Sequence, residues 1–318
     1  MSTCATASWN LAEPLAGTAA TATTWLLVEQ PGPWGPKALT ASRLDPELGR
    51  ALESAAEGTG VRVALVRRPG PHADDRAQTA PAPRQVYAAH TVPGRSWVRS
   101  ARVGDPAALR RLDLAALGAG DPASFDHALG GEAHTGPPLA LVCTNGKRDR
   151  CCAVLGRPLA AELAASGEEG VWEVTHLGGH RFSPTLLVLP HGYAYGRADA
   201  PSVKDVLRAV ETGRVVTDGC RGRSAWERPA QAAELAVRRA TGEDRAEALT
   251  VATVRTAAPV ADDPGPRWEV TVAHTDGGRS WQVVVAQRAS LPERPESCGA
   301  ALGAPARMDV VGVTAAPR

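Results

Sequence analysis

Twice along the chain, a short apolar run gives way to a capped helix and then to further strand-like segments. This recurrence restricts the fold to an α/β sheet. In the first pass "TTWLLVEQ" (residues 23–30) reads as a buried strand, stopped by the Pro/Gly-rich "PGPWGPK". In "DPELGRALESAAEG", Asp45 is placed to cap a helix, Pro46 to start it and Gly58 to end it, with Leu48, Ala51, Leu52 and Ala55 apolar. "VRVALVRRPG", "RQVYAAHTV" and "SWVRSARV" follow as strands around a Pro/Ala-rich loop at 69–83, and "DPAALRRLDLAALG" repeats the helix formula from Asp105 and Pro106 to Gly118. A Gly-rich stretch, residues 118–138, reads as a linker.

The second pass then begins. "LALVC" is a strand, "GRPLAAELAASG" a helix, "VWEVTH" a strand, "TLLVLPHGYAYG" two strands about a His-Gly turn, and "PSVKDVLRAVETG" a helix. The β-α-β-β-β-α order therefore occurs twice, as a pattern rather than as shared letters. After it come a helix, "AQAAELAVRRATG", and two alternating strands joined at Asp276-Gly277. The expected division is an N-terminal α/β domain at 1–130, a second α/β domain at 136–228, and a helix-plus-hairpin extension at 229–318 that completes the sheet or covers one face.

Bulk properties exclude several functions. The 318 residues carry a net charge of +1 with no long run of one sign, so the clustered basic footprint of a nucleic-acid binder is missing. No stretch approaches 18 consecutive apolar residues, so no membrane helix is expected. "MSTCATASWNLAEPLAG" has neither a basic nor an apolar signal region, which makes the cytoplasm, where thiols stay reduced, the expected compartment. The carboxylate pairs Asp262-Asp263 and Glu168-Glu169 lie in loops with no partner acid at a defined spacing, which speaks against glycosidase chemistry.

Three of the six cysteines fall within ten positions: Cys143, at a strand end, and the adjacent Cys151 and Cys152. In a reducing compartment such clustering points to metal or redox chemistry. Some thirty residues on, also at a strand end, "THLGGHRF" carries His176 and His180. Loops at the same edge of a parallel strand pair meet in space, so four soft or borderline ligands converge. His176 and His180 have metalloprotease spacing, but Leu177, Gly178 and Gly179 between them supply no Glu and oppose a helix. No C-x-x-C dithiol is present. Eight residues between Cys143 and Cys152 exceed a zinc knuckle, though a Cys2His2 zinc site stays open. The wider loop suits a two-iron cluster with Cys143 and Cys152 on one iron and His176 and His180 on the other.

These segments resemble the sucrase/ferredoxin-like family, which belongs to the thioredoxin-like [2Fe-2S] ferredoxins. The resemblance is carried by "VCTNGKRDRCC", "GRPLA", "VWEVTHLGGHRFSPTLLVLPHGYAYGR" and "RGRS" (221–224), with "GTA" (17–19), "WLLVEQPGPWG" (25–35) and "SCGA" (297–300). It implies a thioredoxin-like ferredoxin domain at 136–228 and a bis-histidinyl [2Fe-2S] cluster. Aligning Arg148-Asp149 with the family's RD pair makes Cys152, not Cys151, the second thiolate ligand. Asn145 stands where many members carry His. No sugar hydrolysis is implied by the family's name. The N-terminal domain is open to reading as a degenerate second thioredoxin-like unit used for docking.

The leading expectation is thus a proton-coupled one-electron carrier working with a protein reductase or acceptor. The competing readings are a cluster-based sensor without turnover, a glutaredoxin-like enzyme using Cys151 or Cys152 as nucleophile, and structural zinc. Cys151 is expected to be a bystander, and Cys4, Cys220 and Cys298 inert packing. His191 is expected to be a turn residue, and His72, His90, His127, His134 and His274 surface or satisfied core residues. Lys147, Arg148 and Arg150 form either a partner-docking patch or a solvated loop. Arg221 and Arg223 either bond near the cluster or carry ordinary ion pairs.

Overall fold

Ten strands share one mixed sheet, and the apolar runs of the sequence supply its centre. The computed structural model describes residues 3–70, 83–258, 260 and 264–316; His72, Asp262 and Asp263 lie outside them. The strands are β1 (Thr24–Glu29), β2 (Val61–Arg67), β3 (Arg84–His90), β4 (Trp97–Val103), β5 (Glu132–Ala133), β6 (Leu139–Cys143), β7 (Val171–Val174), β8 (Thr185–Leu189), β9 (Tyr193–Gly196) and β10 (Cys220–Arg223). Their order is β10-β9-β8-β6-β7-β2-β1-β3-β4-β5.

The pattern seen twice in the sequence recurs in space. β1 runs parallel to β2 and antiparallel to β3, which pairs antiparallel with β4. Likewise β6 runs parallel to β7 and antiparallel to β8, which pairs antiparallel with β9. Each half thus has the same strand order and the same strand directions. The halves join at their equivalent edges, β2 to β7, through the antiparallel pairs Val66 with Val174 and Arg67 with Glu173. The Arg67–Glu173 ion pair at this seam is buried, with N–O 2.7 Å. Thr144, just past β6, donates to the same carboxylate at 2.8 Å. Losing one member would leave a buried charge uncompensated, at about 3–5 kcal/mol.

β6 is apolar on both faces, as a central strand must be. Leu139, Leu141 and Cys143 enter a core that also holds Trp25, Leu27, Val66, Tyr87, Trp172 and Val174, and so crosses the seam. Ala140 and Val142 face a second core.

Helices α1 (Cys4–Asn10), α2 (Pro46–Ala56), α3 (Leu114–Gly118), α4 (Ala123–Leu129), α5 (Arg157–Ala165), α6 (Ala200–Glu211) and α7 (Arg228–Thr241) complete the fold. α2 starts where expected, with the Asp45 side chain accepting the Glu47 N–H at 2.9 Å. Two expectations are corrected. The segment from Asp105 to Gly118 is not one helix but a 3-10 turn (Pro106–Arg111) followed by α3. Asp113 divides them, because its side chain accepts the Ala116 N–H at 3.0 Å and so caps a new helix. The stretch read as a linker contains α4, held by the fully buried Phe125 and by Asp126, which accepts from Arg99 at 2.8 Å.

The C-terminal extension does not add to the large sheet. It builds its own antiparallel sheet of β11 (Leu249–Ala257), β12 (Arg267–His274), β13 (Ser280–Ala289) and β14 (Ala306–Ala315), with the Asp276-Gly277 turn between β12 and β13 as expected. α7 lies between the two sheets. Ala230, Ala233 and Val237 pack against Val270, Val272, Val283 and Val285, while Leu235 enters the core beneath β6 and β8. Glu234 and Arg238 of α7 are fully buried and pair at 2.8 Å, and both bond the Tyr193 hydroxyl.

Candidate metal centre

β6 and β7 run parallel and end together, with Cys143 opposite Val174. The loops that leave their carboxyl ends therefore start side by side, the usual place for a ligand in a sheet of this kind. In the first loop Asn145 is the organiser. Its carbonyl accepts the Arg148 and Asp149 N–H groups, its side-chain oxygen accepts the Lys147 N–H, and its amide donates to the Gly35 carbonyl at 3.0 Å. Asp149 then accepts the Cys151 N–H at 2.8 Å. Cys152 opens a π turn (Cys152–Gly156) that runs into α5. A side chain at Gly156 would place its Cβ 2.2 Å from the Cys143 carbonyl oxygen, so only glycine lets the turn fold back onto the strand end. That return brings the Cys152 and Cys143 sulfurs to 3.5 Å.

The second loop turns through Gly178 and Gly179, both left-handed at φ +73° and +70°, into a 3-10 turn at His180–Phe182. It is not helical, and it stacks the His176 and His180 rings with centroids 4.8 Å apart. His180 Nδ1 lies 3.3 Å from the Cys152 sulfur. His176 Nδ1 is buried with no hydrogen-bond partner. A buried, unpartnered ring nitrogen is costly unless something binds it.

Two arginines hold this loop by its backbone. Arg62 donates to the His176 carbonyl at 3.3 Å, and Arg221 donates to the Gly178 carbonyl at 3.1 Å and to both oxygens of Thr18. Arg221 is fully buried, and among the described residues neither arginine makes an ion pair with a carboxylate. Burial pushes Arg221 down to about 10, a loss opposed by the negative charge available at Cys143 and Cys152. Hydrogen bonding from Cys152 holds the Cys143 thiol well below the usual thiol range despite burial, with the Leu177 N–H adding to it; Cys152 moves up correspondingly. Burial, then the neighbouring His176, lowers His180, which favours the neutral imidazole that a metal requires.

Of the four residues expected from the sequence, Cys143 touches Cys152 and Cys152 touches His180, which stacks on His176, so the two loops adjoin; only Cys152 and His180 share a group of donor atoms all within 4.8 Å of one another, and Cys143 and His176 stand outside it. The cysteines are buried and the histidines half-buried, so the imidazoles form the outer edge. Asp149, not anticipated, lies with Cys152 and His180 in a group whose donor atoms fall within 4.8 Å of one another. Cys4 and Cys298, expected to be inert packing, meet Cys151 sulfur to sulfur. Cys220 is packed in the core beneath β9, and His191 sits in the β8–β9 turn paired to Glu247 at 2.8 Å. Arg221 belongs to the site, whereas Arg223 pairs with Glu247 away from it.

Comparison with protein families matches the chain to sucrase/ferredoxin-like over residues 15–222. That span contains both loops and leaves out Cys4, Cys298 and the small sheet. Comparisons with curated proteins and with solved structures give no match. Among the described residues, no helix is long and apolar enough to cross a membrane.

Proposed function

The chain belongs to the sucrase/ferredoxin-like family, and from that premise and its donor set we propose that it is a one-electron carrier holding a [2Fe-2S] cluster on Cys143, Cys152, His176 and His180. The observation that carries this reading is the run of contacts from Cys143 to Cys152 to His180 to His176 across two adjoining loops, with His176 Nδ1 buried and unpartnered. Such a cluster, when bound, supplies one-electron transfer at a potential set by its ligands and by the hydrogen bonds around them.

The chain's own residues account for the rest. Arg62 and Arg221 place two cations beside the thiolates and lock the histidine loop. Neutral imidazole ligands put less negative charge on the site than thiolates would, which raises the potential above that of an all-cysteine site. Each ring also keeps a second nitrogen able to exchange a proton as the charge of the site changes. The partner surface lies on the cysteine loop, where Lys147, Arg148 and Arg150 are exposed around the protruding apolar Val154 and Leu155. A protein partner with an acidic rim and an apolar centre fits it. Cys151 and Cys152 are both buried, which withholds them from a disulfide substrate and speaks against a glutaredoxin-like role.

One distance favours a second reading. Cys152 Sγ and His180 Nδ1 stand 3.3 Å apart, close to the roughly 3.6 Å edge of a single tetrahedral ion with sulfur and nitrogen ligands. Structural zinc at the same residues would use it. His180→Cys separates the two. In the cluster reading the variant stays coloured, its potential falls, and the pH dependence, about 59 mV per pH unit for a one-proton, one-electron couple, flattens. A potential and slope unchanged by the swap would remove His180 from the ligand set, and a protein with no redox couple at all would leave the zinc reading.

A further inference from the structure

We propose that Cys4, Cys151 and Cys298, with Asp149 at the fourth corner, form a second metal site that takes a single thiophilic divalent cation, zinc. The inference stands apart from the reading of the first site, since it uses three different cysteines.

The three thiols come from the N-terminal helix, the central loop and the C-terminal segment. They are nevertheless mutually adjacent: Cys4 to Cys151 3.4 Å, Cys4 to Cys298 3.6 Å, and Cys151 to Cys298 3.1 Å between sulfurs. Thiolates on one tetrahedral zinc, at about 2.3 Å each, stand about 3.8 Å apart. A [2Fe-2S] cluster takes two protein ligands on each iron and a [4Fe-4S] cluster one, so three cysteines on either would not all be mutually adjacent. The spacing therefore selects one ion.

Asp149 closes the group. Its oxygens lie 3.9 and 4.0 Å from the Cys4 sulfur, and it accepts the Cys151 and Cys298 N–H groups at 2.8 Å each. These bonds fix the carboxylate and both cysteine backbones before any ion arrives. Simple apolar packing does not explain the arrangement. The cluster consists of the three cysteines and Ala5 alone, and it faces a carboxylate that is 3% exposed. Small apolar side chains gathered for packing would not be placed against a buried anion, whereas a divalent cation needs three thiolates and a carboxylate oxygen together. Zinc would displace the thiol protons on binding, so occupancy falls with acid.

The site would staple both chain ends to the loop that carries Cys152. Glu13 already begins that task, with its carboxylate accepting from Arg181 of the histidine loop at 2.8 Å and from Arg294 of the C-terminal segment at 2.9 Å.

The test is metal counting on protein purified anaerobically, dialysed against zinc and then desalted, with zinc X-ray absorption on the wild type. The expected result is one zinc with about three sulfurs near 2.3 Å and one lighter ligand. Cys298→Ser and Cys4→Ser should each lose that zinc while keeping the iron and the colour of the first site, and Cys220→Ser should keep both. Wild type without zinc, a sulfur count of two, zinc retained in both Ser variants, or a mass two hydrogens light from a disulfide among these three cysteines would each overturn the proposal. If the first site instead holds zinc, wild type contains two zincs and Cys298→Ser one, so the two readings fail separately.

Discussion

Gly178 and Gly179 sit side by side at nearly the same backbone angles, φ +73° and +70°, but in different surroundings. An alanine at either position pays for the left-handed conformation, roughly 1–2 kcal/mol. At Gly178 nothing lies within 4 Å of the added Cβ. At Gly179 the Cβ would sit 2.1 Å from Arg221 Nη2 and 2.7 Å from Cζ, so the whole guanidinium must move. Arg221 has nowhere cheap to go, being fully buried and bonded to Gly178 and Thr18. Losing one or two hydrogen bonds from a buried cation costs a further 2–4 kcal/mol, approximately. Gly179→Ala should therefore be less stable than Gly178→Ala by that amount, which in a chain of this size is roughly 3–6 °C in melting temperature. Equilibrium urea unfolding and thermal melts of the two variants measure the difference, and metal content should fall only in Gly179→Ala as the histidine loop shifts. Equal losses for the two variants, within about 0.5 kcal/mol, would refute the view that Arg221 is a rigid clamp on this loop.

Other expectations concern the frame around the site. Phe125→Ala should destabilise the protein by about 3–5 kcal/mol, because α4 is part of the core and not a linker; a loss below about 1 kcal/mol in chemical denaturation would contradict that. Glu247 carries a pH-dependent share of stability. Despite the desolvation that raises it, His191 and Arg223 hold its carboxyl down to about 2 from an ordinary 4.5. The contribution is complete above the unfolded value and is lost as pH falls from about 4.5 toward 2. Full burial would make it about 3 kcal/mol, but 36% of the side chain is exposed, and screening reduces it to roughly 1–2 kcal/mol. The melting-temperature gap between wild type and Glu247→Gln should close across that acid range, and a gap constant with pH would dismiss the pairing.

Much of this architecture was legible in the letters. Strand runs such as "LALVC" and "VWEVTH" and the Asp-Pro helix start at Asp45 fixed the alternation that builds each half, and strand-end positions for Cys143 and His176 were enough to set their two loops side by side. The boundaries failed where local chemistry was ambiguous. Asp113 sits inside an apolar helical pattern yet acts as a cap, and Phe125 lies among glycines that suggest a linker. β11 and β14 escaped notice because they are edge strands with largely exposed, mixed side chains. The second cysteine group was out of reach for a different reason. Cys4, Cys151 and Cys298 are separated by almost the whole chain, and no spacing rule links residues brought together only by packing of the two termini. Arg221, although quoted with its motif, could be placed only once Gly178 was seen to accept from it.

The central claim is the nature of the centre on Cys143, Cys152, His176 and His180. Anaerobically purified protein should be red-brown, contain about two irons per chain, and give an EPR signal of a reduced [2Fe-2S] centre on treatment with dithionite. A colourless, iron-free protein with no EPR signal on reduction would contradict the account.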